Sequence, residues 1–369
     1  MKICHIINSL SGGGAETHLL SLVKAQKSEG YEVHVISIGP DKKNMGSLYT
    51  EFSKIVNKIH RLKAPRLFNP ISYKILFNIH KKFKFDVVHT HQPRSDAMYY
   101  ILRYFISFKT LWVVSIHGKY DTYLEDKTIL NFLRKLLMPF LTYIWKKSDH
   151  IICISNEVGN WLLGHSKHIK FTVINYWIDL PSLNRSGKNI SKVTLGFMGR
   201  LNENKGIEDL LEVFTELENA DLELLIGGVG KKAYIEKIKI KYGLNGYSNI
   251  KFLDYIDDKE EFFKKLHLFV FPSHSEGLGL VLLEAMSNSK LCLTRNVPPM
   301  NQILNEEVGF IFNSQDDFKN QLNLAVEMIR NDHNEIDKKL SNQYNLLNAK
   351  YSKNKLFKKI ERIYINGQL

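Results

Sequence analysis

The sequence predicts an α/β protein built from two doubly wound parallel-sheet domains in tandem. Three observations lead there. A chain of 369 residues has room for two or three domains. Short apolar runs alternate with helical patterns through both halves, the signature of βαβ units. Glycine-rich or basic turns follow several of the apolar runs, at the carboxyl ends of strands where sheets of this kind bind ligands.

Taken in order, residues 1–8 form an apolar run and Ser11, Gly12, Gly13 and Gly14 a tight turn. Leu19, Leu20, Leu22, Val23 and Ala25 then supply the apolar face of a helix that Gly30 ends. An alternating segment over 31–38 reads as a second strand, and runs at 86–89, 111–116 and 150–154 read as further strands separated by helices. The second half repeats the style. Strands are expected at 193–198, 222–226, 250–253, 268–271 and 290–294, with helices at 207–217, 233–242, 259–266 and 280–287. Residues 180–191 are rich in turn formers and read as a linker. The expected domains are therefore 1–180 and 190–350, followed by a terminal segment, 351–369, whose amphipathic helix carries Leu356, Ile360 and Ile363.

Composition narrows the class. Hydrophobic residues make up 44% and charged residues 24%, which excludes disordered and low-complexity proteins. Cys4, Cys153 and Cys292 are odd in number and far apart, so neither a disulfide framework nor a zinc site is expected, and a reducing, cytoplasmic compartment suits them. The most apolar stretch, 98–116, is interrupted by Arg103 and Lys109 and falls short of a membrane span, and the run 3–7 is too short for a signal peptide. The net charge of +13 is unevenly placed. Residues 1–180 hold 25 Lys and Arg against 13 Asp and Glu, whereas residues 181–369 hold 26 against 25. A basic first half suits an anionic membrane surface, an anionic substrate or nucleic acid.

Several residues sit where chemistry is done. Gly13, Gly14 and Glu16 open the first helix, where bare backbone N–H groups can approach an anion, or where the chain merely turns. Gly199 and Arg200 end a strand, and Lys205 follows before a helix. These two cations would suit a diphosphate or else be solvated surface charges. Glu276, Gly277, Leu278, Gly279 and Leu280 lead into a helix that carries Glu284. The backbone there can face an anion, and a carboxylate can hold two neighbouring sugar hydroxyls. His117 follows a strand. His89 and His91 lack a third ligand nearby in sequence, which favours a structural or acceptor-side role over a metal pair. No Asp-x-Asp pair occurs, so a carboxylate-held divalent ion is not expected.

Together these motifs resemble the retaining glycosyltransferases of family 4, of the bacterial surface-polysaccharide type, over nearly the whole chain. Gly13-Gly14-Ala15-Glu16 with His18-Leu19-Leu20 resembles the GGAE-x-HL start, and Asp86-Val87-Val88-His89-Thr90-His91 the DVVHxH strand. His117-Gly118 and the run from Ser148 to Ser155 are similar to the next two landmarks. Gly199-Arg200-Leu201 with Lys205-Gly206 resembles GRL-x3-KG, and Pro272-Ser273 through Glu284-Ala285-Met286 resembles PS-x2-EG-x-GL-x3-EAM. Pro298 and Pro299 depart from the family's usual VGG, and Asn175-Tyr176-Trp177-Ile178-Asp179 departs from PNGVD.

The resemblance implies a GT-B fold, two Rossmann-like domains facing a cleft, with the terminal helix returning to the first domain. It implies that Arg200 and Lys205 hold the donor diphosphate, Glu284 the ribose, Glu276 and His117 the donor sugar, and that Gly13, Gly14, Gly199 and the 277–280 backbone line the donor. Glu16 and His91 fall on the acceptor side. It implies transfer from a nucleotide-diphosphate sugar, UDP before GDP, to a lipid-linked or growing surface glycan, with no metal or other cofactor. The mixed apolar and basic segments 99–108 and 131–147 fit either core helices or an anionic lipid surface. The competing expectations are a sugar-nucleotide epimerase of the same fold and, outside enzymes, a basic nucleic-acid-binding protein. Against the latter, no nucleic-acid-binding motif appears, so no nucleic-acid partner is expected.

Overall fold

The computed structural model describes residues 1–41, 46–64, 69–120, 129–180, 192–217 and 221–367, with the backbone alone over 129–136. The expected linker at 180–191, apart from Leu180, and the side chains of Arg134 and Lys135 lie outside the described residues. The chain divides into two compact units. The first comprises Met1–Tyr176 and Asn354–Leu369, the second Trp177–Lys353.

The first unit contains β1 (Lys2–Ile7), β2 (Glu32–Ser37), β3 (Lys58–Arg61), β4 (Val87–Thr90), β5 (Leu111–Ile116), β6 (His150–Cys153) and β7 (Thr172–Val173). They form one sheet in the order β3-β2-β1-β4-β5-β6-β7. Every pairing is parallel, with Ile3 opposite both Val33 and Val87. Val33 to Ser37 are all buried, so β2 does not alternate as its sequence suggested. Helices cover both faces of a parallel sheet, and a central strand then reads as a continuous apolar run. The strands β3 and β7 were not anticipated, because four residues of KIHR and two of TV carry no strand pattern.

Helix Gly14–Ser28 buries Leu19, Leu20, Leu22, Val23 and Ala25. The chain leaves it through Gly30 at φ 78°, a left-handed conformation that costs glycine little. Helix Pro70–Phe83 is started by Asn69, whose side chain accepts from the N–H of Ile71 and Ser72. Helix Lys353–Asn366, which belongs to the first unit from Asn354 on, buries Leu356, Phe357, Ile360 and Tyr364. Ile363 is only partly buried. The inward position after Ile360 is therefore Tyr364, one helical repeat of four on, and its hydroxyl is accommodated by polar partners inside the unit.

The second unit holds β8 (Val193–Met198), β9 (Leu222–Gly227), β10 (Ile250–Phe252), β11 (Leu268–Phe271), β12 (Leu291–Arg295) and β13 (Phe310–Phe312). Their order is β10-β9-β8-β11-β12-β13, again wholly parallel. Its core runs from Leu195, Phe197 and Ile226 through Val270 and Leu293 to Phe312, which stacks on Phe318 at 4.1 Å. Among the described residues, no helix is long and apolar enough to cross a membrane.

Candidate active site

In the second unit the strand order reverses between β8 and β11. Loops leaving these two carboxyl ends diverge, which opens a crevice where doubly wound sheets bind ligands. Gly199 and Arg200 leave β8, and the segment 272–279 leaves β11.

Backbone contacts set this region. The N–H of Gly199 donates to the carbonyl of Gly227 and that of Leu201 to Val229. Gly228 lies at φ 136°, and a Cβ there would stand 1.8 Å from the carbonyl oxygen of Gly199. Gly206 lies at φ 66°, with a Cβ position 2.2 Å from the carbonyl oxygen of Pro272. Only glycine permits both approaches. The segment around Leu253 joins the same end of the sheet, since the N–H of Gly228 donates to the carbonyl of Asp254 at 2.5 Å.

The side chains fall into pairs. Arg200 is exposed, and among the described residues no carboxylate pairs with it. Lys205 ends the short turn Glu203–Lys205, and its Nζ forms an ion pair with Glu276 Oε1, the two side chains being 11% and 12% exposed. Asn204 ties the two loops together by donating from Nδ2 to the carbonyl of Ser275 and accepting from the N–H of His274. Glu284, in helix Leu280–Ser287, takes both oxygens to Lys259 Nζ at 2.7 and 2.9 Å. Asp209 holds Arg295 at 2.5 Å and His274 at 3.0 Å. Gly279 caps the helix at φ 87°. Among the described residues the N–H groups of Leu278, Gly279 and Leu280 meet no acceptor, and the buried Ser273 Oγ has no partner. Among the described residues the region thus offers a guanidinium with no carboxylate partner, N–H groups at a helix start that meet no acceptor, and two carboxylates each held by one lysine. Such a set can bind an anion and a polyol side by side.

The first unit presents its own cluster at the carboxyl ends of β1, β4 and β5. Gly13 caps helix Gly14–Ser28, and Gly12 N–H donates to Gly46. Glu16 is nearly buried and accepts from Gln92 Nε2 at 3.2 Å. His117 leaves β5 and is partly exposed. Its Nε2 lies 3.1 Å from His91 Nδ1, its Nδ1 bonds the hydroxyl of Tyr176, and its backbone N–H donates to Tyr120. Burial holds His117 down at about 3 and His5 at about 4. Burial, together with neighbouring imidazoles, also keeps His18, His89 and His91 well below the usual range. These rings are neutral at pH 7. His91 is 1% exposed with both ring nitrogens engaged, so it touches a ligand only through His117.

His5, His89 and His91 bring ring nitrogens within 4.8 Å of one another. All six of those nitrogens meet hydrogen-bond partners, and no carboxylate belongs to the trio. The geometry is that of a hydrogen-bonded string. A separate cavity of about 500 Å³, lined by Arg103, Lys109, Asp86 and Asp149, opens at the amino ends of β4 to β6, away from His117.

Sequence reasoning missed Lys259, Asn204, Tyr176, Gln26 and Tyr364. Lys259 and Asn204 lie in ordinary polar surroundings with no motif to flag them. Tyr176 falls within the degenerate NYWID segment, and Gln26 lies on the inner face of the first helix, where a buried amide was the one available signal.

Comparison with known proteins follows this division. Residues 12–181 match the model of Glycosyltransferase Family 4, and residues 182–343 match that of Glycosyl transferases group 1. The chain is 22% identical to the O-antigen biosynthesis glycosyltransferase WclY of Escherichia coli over 83% of each chain. It is 24% identical to the capsular polysaccharide biosynthesis glycosyltransferase CapH of Staphylococcus aureus, over 82% of this chain and 83% of that one. Among solved structures it resembles Anabaena Alr3699/HepE in complex with UDP and glucose, with a TM-score of 0.81, 15% identity, and coverage of 99% and 100%. It resembles a sucrose-phosphate synthase from Thermosynechococcus elongatus equally, with a TM-score of 0.81, 16% identity and 99% coverage of both chains. With two Rossmann-like units and adjoining matches over residues 12–343, the chain belongs to the family 4 and group 1 glycosyltransferases of the GT-B fold.

Proposed function

We propose that this glycosyltransferase is a retaining, metal-independent enzyme that moves a sugar from a UDP-sugar onto a lipid-linked or growing surface glycan. The observation that carries the reading is Arg200, exposed and with no carboxylate partner among the described residues, at the strand-order reversal of the second unit, whose loops also carry the Lys205–Glu276 pair. An exposed guanidinium can take two phosphate oxygens at once. Lys205 and the 278–280 N–H groups add positive potential for the same diphosphate, so the developing charge can be met without a divalent ion. Glu276, released from Lys205 as that lysine turns to phosphate, would accept hydroxyls of the donor sugar. Glu284 would accept the ribose diol, with Lys259 keeping it ionised. His117, neutral, would contact the donor sugar, and Gly13, Gly14 and Gly199 would allow close backbone approach.

In the proposed reaction the bond between the anomeric carbon and the β-phosphate oxygen breaks. The acceptor oxygen bonds the same face of that carbon, and its proton passes to the departing phosphate oxygen. The sugar passes through an oxocarbenium-like state, and no protein nucleophile takes part. UDP is favoured because the similar HepE structures hold UDP, UDP-glucose, or UDP with glucose. A surface-glycan acceptor is favoured by the names of WclY and CapH.

A peripheral attachment to the cytoplasmic membrane face is proposed for the acceptor. It rests on Tyr104, Phe105, Leu137, Phe140 and Tyr143, all exposed, beside exposed Lys146 and Lys147, with Lys147 Nζ 5.3 Å from the Tyr143 ring. Apolar side chains rimmed by cations suit an anionic lipid surface.

The test is a thermal-shift titration with UDP, GDP, CMP and dTDP, with and without magnesium, on the wild type, Arg200→Ala and Glu284→Ala. A shift with UDP that ignores magnesium and vanishes in both variants is expected. No shift with any nucleotide would overturn the assignment of this site, and a shift with GDP alone would replace the donor.

A further inference from the structure

The polar interior of the first unit carries an unbroken string of side-chain hydrogen bonds. Ser115 Oγ meets His89 Nε2 at 2.7 Å, and His89 Nδ1 meets the Tyr364 hydroxyl at 2.6 Å. Gln26 Nε2 donates to that hydroxyl at 3.4 Å, and Gln26 Oε1 lies 2.8 Å from His5 Nε2. His5 Nδ1 lies 2.9 Å from His91 Nε2, and His91 Nδ1 lies 3.1 Å from His117 Nε2. The string reaches the surface side at the bond between His117 Nδ1 and the Tyr176 hydroxyl. Gln26 and His5 are 0% exposed, and His89, His91 and Tyr364 are 1% exposed, so water does not compete for these groups. His117 is the one partly exposed imidazole among them.

A neutral imidazole has one N–H and one acceptor nitrogen, so each bond dictates the next. Gln26 presents its carbonyl oxygen to His5, which must therefore carry its proton on Nε2. His5 Nδ1 is then an acceptor, and His91 must donate to it from Nε2. His91 Nδ1 in turn accepts, and His117 must donate from Nε2. That leaves His117 Nδ1 an acceptor, filled here by the Tyr176 hydroxyl. On the other side, Tyr364 accepts from Gln26 and donates to His89 Nδ1, and His89 donates from Nε2 to Ser115. Every link is satisfied in one direction. Turning the Gln26 amide by half a rotation would reverse all of them, so a single buried amide sets the tautomers of the three imidazoles leading to His117.

We infer that Gln26, His5 and His91 are positioning residues that hold the proton of His117 on Nε2 and keep its Nδ1 an acceptor for a hydroxyl. In this structure that hydroxyl is Tyr176's, and during transfer it is one of a sugar substrate. The inference rests on the proposed contact between His117 and substrate. Its structural half stands independently of that contact.

The experiment is two-bond ¹H–¹⁵N correlation spectroscopy on the full chain with ¹⁵N-labelled histidine, the His117 signals being assigned by their loss in His117→Gln. The wild type at neutral pH should show His117 protonated on Nε2 alone. In Gln26→Leu the acceptor that orients His5 is gone, and the two His117 nitrogen shifts should move toward each other as tautomers mix, with kcat reduced several-fold at unchanged donor KM. Tyr364→Phe, a gentler change, removes the hydroxyl that anchors the amide and should mix the tautomers in the same way if Gln26→Leu does not fold. A wild-type His117 protonated on Nδ1, or a His117 spectrum unchanged in the folded variants, would overturn the inference. Mixed tautomers with unchanged kcat would instead overturn the contact of His117 with substrate while leaving the hydrogen-bond order in place.

Discussion

Replacing Arg200 with alanine should separate function from stability more cleanly than any other change in the second unit. The guanidinium is exposed, and among the described residues it has no carboxylate partner, so its removal leaves no buried charge behind. The stability change should stay within about 0.5 kcal/mol, and Tm within roughly 2 °C for a unit of this size. Its proposed work is a two-pronged contact with the donor diphosphate. Each charge-assisted bond is worth about 1.5–3 kcal/mol, and solvent screening at an exposed site trims the pair to roughly 2–3 kcal/mol in total. At 1.4 kcal/mol per decade, kcat/KM should fall about 30- to 150-fold. Lys205→Ala provides the contrast, because Glu276, with a side chain 12% exposed, would lose its ion-pair partner. That should cost about 1–3 kcal/mol, or roughly 3–10 °C of Tm. The assays are calorimetry and UDP release from UDP-glucose in the presence of acceptor glycan. An Arg200→Ala protein that keeps kcat/KM within about threefold of wild type, or that loses as much Tm as Lys205→Ala, would refute this reasoning.

Three further outcomes are expected. Gly228→Ala should destabilise severely, by more than about 3 kcal/mol, because its Cβ would lie 1.8 Å from a backbone oxygen at φ 136°, and a chemical melt with an unchanged midpoint would contradict this. Stability should fall as pH drops from about 6.5 toward 4. His5, His60 and His80 are held at about 4 and His117 at about 3, so the unfolded chain binds more protons than the folded one throughout that window. Asp96 acts in the opposite sense, since burial raises it to about 7 and the folded state keeps its proton, but it is one group against four. Urea midpoints measured at pH 7, 5.5 and 4.5 check the sign. Phe140→Glu with Tyr143→Glu should abolish co-sedimentation with vesicles containing phosphatidylglycerol while leaving nucleotide binding unchanged, and retained sedimentation would count against the lipid surface.

Much of this protein was legible in its sequence. The central strands at 111–116, 193–198 and 268–271 were expected with the boundaries they have, because both their faces are buried and the apolar run is unmistakable. The order of motifs along the chain likewise pointed to the family, since turns after strands must carry glycine or charge in sequence order to reach the ends of a parallel sheet. Other features required the folded chain. The edge strands β3, β7 and β13 are too short to show a pattern, and partners rather than residues make them strands. Gly206 and Gly228 were seen as parts of motifs, but only the approach of Pro272 and Gly199 explains why no other residue fits.

The same division runs through the candidate site. Arg200, Lys205 and Glu276 were visible because charge next to a glycine turn is unusual, and Glu284 because its helix follows such a turn. Lys259 meets Glu284 across 25 positions of sequence, and Tyr364 meets His89 across 275. Sequence by itself determined the two-domain parallel architecture, the family and the charged residues at strand ends, since these depend on local pattern and short spacing. Tertiary structure alone decided which carboxylate each lysine holds and which nitrogen of His117 carries its proton. Both depend on distances of about 3 Å between groups that only the packed sheet and its helices bring together.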